Sequence, residues 1–76
     1  MSMKTRINIA AEKLQKTGVH PRHVHLTKTN ALQLQTEMIA EGGELAHSIL
    51  RNGMRKAMAT ILGLQIVWES LRFEVD

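Results

Sequence analysis

The C-terminal stretch of the chain reads Ala59-Thr60-Ile61-Leu62-Gly63-Leu64-Gln65-Ile66-Val67-Trp68-Glu69-Ser70-Leu71-Arg72-Phe73-Glu74-Val75-Asp76. Its last six residues alternate, with Leu71, Phe73 and Val75 on one face and charged residues on the other. This period of two predicts a strand with one buried and one exposed face. The run 59–68 is almost continuously apolar and rich in β-branched residues, which is typical of a central strand. Together the two runs predict a C-terminal β-hairpin that contains the only Trp and the only Phe.

Two amphipathic helices are predicted in the first half of the chain. The first covers residues 3–17, where apolar residues recur at helical spacing, and it ends at Gly18, shortly before Pro21. The second covers residues 28–41, with Thr27 as its N-cap and the pair Gly42-Gly43 as its end. Each helix therefore has both a periodic apolar face and a physical reason to stop.

A short strand is predicted between these helices. Residues 22–26 alternate, with Val24 and Leu26 on one face and His23 and His25 on the other. Pro21 is compatible with the start of such a strand. We expect this strand to pair with the run 59–68, whose apolarity predicts a central position in the sheet.

Residues 44–58 are open to two interpretations. Helical spacing of apolar residues predicts a short third helix over 45–51, followed by a stop or turn at Asn52-Gly53. The alternative is an all-helical protein in which residues 54–70 continue as helix. The β-branched residues of the run 59–68, and Gly63 within it, argue against that alternative.

The resulting prediction is one α+β domain over residues 1–76. Two helices, plus a short third, would pack on one face of a small three-stranded sheet in the order α-β-α-(α)-β-β. A chain of 76 residues buries a limited core, so association into a dimer is a reasonable way to complete it.

Composition excludes several classes of site. The chain has no Cys, which excludes disulfides, thiolate metal sites and Cys nucleophiles and fits a cytoplasmic protein. No apolar run approaches the roughly 18 residues of a membrane span, and no secretion signal is recognised. The formal net charge of +3 is unevenly spread. Residues 1–36 carry six basic residues and one acidic residue, whereas residues 37–76 carry four basic and six acidic residues.

Two segments of the chain resemble short phage and prophage proteins. The segments are Pro21-Arg22-His23-Val24-His25-Leu26-Thr27 and Thr60-Ile61-Leu62-Gly63-Leu64-Gln65-Ile66-Val67-Trp68, with the closing run Leu71-Arg72-Phe73-Glu74-Val75. Those proteins carry a helix, a Pro-x-x-apolar-x-Leu-Thr strand that enters a second helix, and a final hairpin that begins apolar-Gly-apolar-Pro-apolar-Val. Here Gln65 stands where that pattern usually has Pro. The resemblance implies a small accessory or interaction protein and transfers no catalytic residue.

The histidines are the sharpest candidate for a metal site. On a strand, His23 and His25 would share a face, as two ligands of one Zn or Ni ion would, and His47 could be a third ligand. No acidic residue lies near them in the sequence to orient an imidazole. A polar outer strand face that happens to carry histidines is the simpler interpretation, so we predict no cofactor.

Enzymatic activity is not expected from this sequence. Ser48 directly follows His47, and neighbours on a helix do not face each other. Neither a Gly-x-Ser-x-Gly elbow nor a phosphate-binding loop is present.

Two function classes remain. The first is a protein-interaction or self-assembling module whose adaptable apolar surface lies in the third-helix region. Its candidate partner-binding residues are Leu45, Ile49, Leu50, Met54 and Met58. The second is nucleic-acid binding through the basic N-terminal half. Its candidate phosphate-binding residues are Lys13, Lys16, Arg22 and Lys28.

Overall fold

The fold is α+β, and the computed structural model describes all 76 residues. The elements in chain order are α1 (Met3–Lys16), β1 (His23–His25), α2 (Lys28–Glu41), α3 (Gly43–Asn52), α4 (Met54–Ala57), β2 (Thr60–Ile61), β3 (Leu64–Val67) and β4 (Glu74–Val75). The strands form one sheet in the order β2-β3-β1-β4. β1 is parallel to β3, and the other two pairings are antiparallel. The fold class is confirmed, with one helix and one strand more than predicted.

Local capping explains the bounds of the first two helices. The Ser2 hydroxyl accepts a hydrogen bond from the Thr5 N–H at 3.1 Å and caps α1. At the start of α2, the Thr27 hydroxyl accepts from the Asn30 N–H, and the Asn30 side-chain oxygen accepts from the Thr27 N–H, both at 3.1 Å. This reciprocal pair satisfies donors that the helix leaves unpaired. α2 has the predicted bounds, and α1 is one residue shorter than predicted.

The predicted single strand over residues 59–68 is wrong, because a tight turn divides it into β2 and β3. Leu62 and Gly63 form the turn with φ of +51° and +79°. Two successive residues with positive φ are typical of a two-residue hairpin connection whose twist matches the strands. The two strands then pair antiparallel, with Ile61 opposite Leu64.

The predicted pairing of the last strand is also wrong. β2 occupies one edge of β3 and β1 occupies the other, so β3 has no free edge for the C-terminal segment. β4 instead pairs with the remaining edge of β1, with Val75 opposite Val24. Only Glu74 and Val75 form strand, and Leu71, which was expected on the buried face, is fully exposed.

The segment after α2 is helical for longer than predicted. α3 covers Gly43–Asn52, and Gly53, with φ of +89°, separates it from the single turn of α4. The strands that follow exclude the all-helical alternative.

The helices pack on one face of the sheet, and the other face is open to solvent. Val24, Leu64 and Ile66 point to the helical side and are buried. Their partners in the core come from α1 to β2 and are Met3, Ile7, Leu26, Leu34, Met38, Ile49, Met54, Met58 and Ile61. The opposite face carries Thr60, Gln65, Val67, His23, His25 and Glu74. The alternation of β1 and β3 therefore decides which side chains remain available to a partner.

The Leu62-Gly63 turn gives a test of the hairpin. Leu62→Asn should raise the free energy of unfolding by about 0.5–1 kcal/mol, because Asn tolerates the left-handed conformation better than Leu does. Gly63→Ala should lower it by about 1 kcal/mol, because a Cβ is strained at that φ. Urea denaturation measures both changes. Leu50→Asn, which also removes an exposed leucine but lies in a helix, should give no gain, and an equal gain there would contradict the turn geometry.

Candidate interaction surfaces

The five predicted partner-binding residues divide between the core and the surface. Ile49, Met54 and Met58 are buried among the core side chains. Leu45 and Leu50 of α3 are 37% and 70% exposed. The structure therefore does not bring the five together as one surface, and these two leucines are the exposed members of the set. A helical pattern shows which residues share a stripe, but it does not show which flank of the stripe the rest of the fold covers.

An open groove lies between α2, α4 and the end of β3, and it contains the only Trp. This Trp68 groove has a volume of about 250 Å³. Its lining residues are Lys28, Ala31, Leu32, Gln35, Met54, Arg55, Trp68 and Glu69. Half of them are apolar, and Leu32 is 64% exposed. The groove is thus an accessible apolar surface with charged residues around it.

Charges on the rim of the Trp68 groove are only partly paired. The Arg55 guanidinium lies 5.9 Å from the centre of the Trp68 ring and 2.8 Å from a carboxylate oxygen of Glu69. These contacts hold one wall of the groove. Lys28, on the opposite wall, has no carboxylate within 4 Å. The groove therefore favours an apolar group that carries a negative charge beside it.

Leu71 projects from the surface. In the sequence it closely follows Trp68 and Glu69, which line this groove. The Ser70 N–H donates to the Leu26 carbonyl at 3.0 Å, and the Ser70 hydroxyl donates to the Val67 carbonyl at 3.2 Å. These bonds anchor the residue just before Leu71. The Leu71 side chain is fully exposed and lies near Glu69 and Glu74. A large apolar side chain in this position makes no contribution to the core of its own chain.

A second groove lies between α1 and β4. This Phe73 groove has a volume of about 280 Å³, and its lining residues are Met1, Arg6, Ile9, Ala10, Lys13 and Phe73. The Arg6 guanidinium lies 4.9 Å from the centre of the Phe73 ring. No acidic residue lines the groove, and neither Arg6 nor Lys13 has a carboxylate within 4 Å. The groove therefore combines apolar side chains with two positive charges and has no negative charge.

The two strand histidines meet on the open face of the sheet, as their spacing predicts, and they share an acidic partner. Asp76 Oδ1 lies 3.2 Å from His23 Nδ1, and Asp76 Oδ2 lies 2.9 Å from His25 Nε2. The His25 contact is a hydrogen bond in which the ring N–H donates, because an ionised carboxylate only accepts, whereas His23 lies within ion-pair distance of the same carboxylate. Asp76 is 51 residues from His25, and the β1–β4 pairing brings them together. The expectation that no acidic residue orients these rings is wrong, because sequence distance does not reveal the pairing.

The structure offers no preformed metal site. No group of three or more His, Asp or Glu side chains has an arrangement that could hold a metal ion. His47 lies on α3 beside Gly43 and Glu44 rather than with His23 and His25.

The four residues of the predicted nucleic-acid surface are divided among different parts of the fold. Lys13 lines the Phe73 groove and Lys28 lines the Trp68 groove. Arg22 directly precedes β1, so the length of this strand separates it from Lys28. Lys16 lies in the last turn of α1. All four lack a carboxylate within 4 Å, so their charges are free to act on a ligand.

No protein-family model matches the chain, and comparison with curated proteins and with solved structures finds no match. The resemblance to short phage and prophage proteins therefore stays a prediction, as does the cytoplasmic location. None of the helices has both the length and the apolar character needed to cross a membrane.

The histidine pair gives a spectroscopic prediction. Asp76→Ala should shift the ring-nitrogen resonances of both His23 and His25, because His25 loses its hydrogen-bond acceptor and His23 loses a carboxylate 3.2 Å away. Long-range ¹H–¹⁵N spectra measure this, with His20 and His47 as internal references that should not move. Glu74→Ala is the matched control, since Glu74 lies opposite His25 but bonds to neither ring. Unchanged His23 and His25 resonances in Asp76→Ala would contradict the bridging carboxylate.

Proposed function

We propose that this protein is a non-enzymatic interaction domain that associates with a second copy of itself through the Trp68 groove. In this dimer, Leu71 of each copy occupies the groove of the other. The observation that carries the proposal is the full exposure of Leu71, three residues after the Trp that lines an open apolar groove. The projecting group and its receptor thus belong to one region of the surface.

A surface that holds both a projecting side chain and a groove is self-complementary. Two copies related by a two-fold axis make each contact twice, because each one contributes Leu71 and receives the partner's Leu71. Full burial of a leucine stabilises by about 1.5–3 kcal/mol, and a symmetric dimer gains this contribution twice. Leu32, which is largely exposed in one copy, would lose water from its side chain at the same interface.

The charges around the two features are of both signs. Glu69 and Glu74 lie near Leu71 together with Arg72, and each carboxylate has an arginine partner within 4 Å. Lys28 lies unpaired on the rim of the Trp68 groove. Insertion of Leu71 would therefore bring two partly neutralised carboxylates toward an unpaired ammonium group. Complementary charges at the rim of an interface favour correct orientation and faster association more than they add affinity.

Substitution of Leu71 tests the proposed dimer. Leu71→Ser should reduce the dimerisation constant at least tenfold, because each copy loses its inserted apolar group. Sedimentation velocity over a range of protein concentrations measures the association. The chain has one Trp and no Tyr, so Trp68 emission reports on the groove without interference and should shift to shorter wavelength as the wild-type dimer forms.

Leu50→Ser is the matched control for this experiment. Leu50 is also a highly exposed leucine, but it lies on α3 and does not line the groove. Dimerisation of this variant should equal that of the wild type. Loss of the dimer in Leu50→Ser with retention in Leu71→Ser would assign the interface to α3 instead, and a wild-type monomer at all concentrations would overturn self-association.

Nucleic-acid binding is a second candidate function, favoured by the free basic side chains. Lys13, Lys16 and Arg22 have no carboxylate partner, and they belong to a half of the chain with a large excess of positive charge. Such side chains can neutralise phosphates and release counterions without first breaking an ion pair.

Charge reversal separates this candidate from the dimer. Exchange of Lys13, Lys16 and Arg22 for Glu should abolish binding to a labelled DNA duplex, and wild-type affinity should fall steeply between about 50 and 200 mM salt. Fluorescence anisotropy measures both effects. The control is the triple exchange of Arg51, Lys56 and Arg72 for Glu. It changes the net charge by the same amount but at residues outside the candidate set. Equal losses in both triple variants would indicate attraction by net charge alone, and binding that does not depend on salt would contradict phosphate recognition.

A further inference from the structure

The outer edge of β4 has backbone N–H and C=O groups that pair with no other strand. In the β1–β4 ladder, the Asp76 N–H donates to the His23 carbonyl at 3.0 Å, and the His23 N–H donates to the Asp76 carbonyl at 2.8 Å. Val75 lies opposite Val24, between the hydrogen-bonded pairs of this antiparallel ladder. The N–H and C=O of Val75 therefore point away from β1, toward the free edge of the sheet.

This free edge borders the Phe73 groove. Phe73 directly precedes β4 and also makes no backbone hydrogen bond. Its ring forms part of the groove wall, together with Ile9 and Ala10 of α1. A strand placed along Phe73 and Val75 would thus find unpaired backbone donors and acceptors on one side and an apolar wall from α1 beside it.

We propose that β4 and the Phe73 groove bind an extended segment of another protein by strand addition. The added segment would extend the sheet to five strands, with every second side chain in the groove, as is usual for this mode of recognition. This inference goes beyond the proposed dimer, because the Phe73 groove and the Trp68 groove share no lining residue.

Charge defines the chemistry of the partner segment. Arg6 and Lys13 line the groove, and neither has a carboxylate partner. Lys13 lies seven residues after Arg6, so the two basic groups are about 10 Å apart along the axis of α1. The segment that fits has apolar residues at alternating positions and acidic residues at both ends, where they can reach Arg6 and Lys13.

The opposite edge of the sheet does not offer the same site. The hollow beside the β2–β3 turn includes the carboxylate of Glu12 along with Asn8 and Gln15. An acidic segment would be repelled there. The unpaired edge and the purely basic groove coincide only at β4.

A designed peptide tests the proposal in the full-length protein. The probe is a seven-residue peptide with a Val-Thr-Val centre and Asp-Glu pairs at both ends, so that its inner acidic residues lie about 13 Å apart in a strand, comparable with the spacing of Arg6 and Lys13. On addition of this peptide, the amide protons of Phe73 and Val75 should shift in ¹H–¹⁵N spectra and the Val75 amide should exchange more slowly with deuterium, because it acquires an acceptor. The same peptide with a methylated backbone nitrogen at its central residue should bind at least tenfold more weakly.

Two matched variants test the charge contribution. Lys13→Glu should weaken binding of the peptide about five- to tenfold, since it places a like charge in the groove. Lys16→Glu changes the net charge equally on the same helix but lies outside the groove, so its affinity should stay within about twofold of the wild type. Equal losses in the two variants would overturn the assignment of this groove.

A backbone variant tests the edge itself. Val75→Pro removes the outward N–H but leaves the bonds that Asp76 makes to β1. It should abolish binding of the peptide, while circular dichroism confirms that the fold is retained. If Val75→Pro does not fold, the comparison of Lys13→Glu with Lys16→Glu decides between the outcomes. Peptide-induced shifts confined to the Trp68 groove, or protection of Val75 that rises with protein concentration alone, would overturn the proposal in favour of another site or a second copy.

Discussion

The fold depends on the hydrogen bonds that one three-residue strand makes along both of its edges. β1 pairs with β3 on one side and with β4 on the other, and the Val24 side chain at its centre is fully buried. Arg22 and His23 both donate their N–H groups to the carbonyl of Asp76, at 2.7 and 2.8 Å. β1, which lies in the first third of the chain, is thereby hydrogen-bonded to both β3 and the C-terminal residue Asp76. Loss of this strand would leave the β2–β3 hairpin, which is too small to be stable alone, and β4 without a partner.

The position of β1 also decides where partners can bind. Because the helices cover one face only, the other face retains the His23–Asp76–His25 cluster in contact with solvent. Because β4 closes on β1, its own outer edge remains free beside α1. The Trp68 groove forms elsewhere, where α4 follows α3 and meets the end of β3. The two proposals together describe a two-fold symmetric dimer in which each copy offers one basic strand-binding edge.

Local signals in the sequence were sufficient for the helices and for the existence of the strands. α2 has the predicted bounds because Thr27 at its start and Gly42 at its end act within one helical turn. The turn at Leu62-Gly63 was missed because Leu seldom adopts a positive φ, so an apolar run containing it resembles an uninterrupted strand. The pairing of β4 was missed for a different reason. Adjacent strands in sequence usually form hairpins, and only the arrangement of the whole sheet shows that both edges of β3 are occupied.

By itself, the sequence determined the α+β class, the two long helices, the shared face of His23 and His25, and the uneven charge, because these follow from spacing and composition over short distances. Only the tertiary structure decided which apolar residues a partner can reach. Ile49 and Met58, which were candidates for partner binding, belong to the core, whereas Leu71, which the alternating pattern places on a buried face, is fully exposed. Exposure depends on what packs against a side chain from distant parts of the chain. For the same reason, the contact of Asp76 with two histidines, and the position of the C-terminal strand's free edge beside Arg6 and Lys13, could not be predicted before the strand order was known.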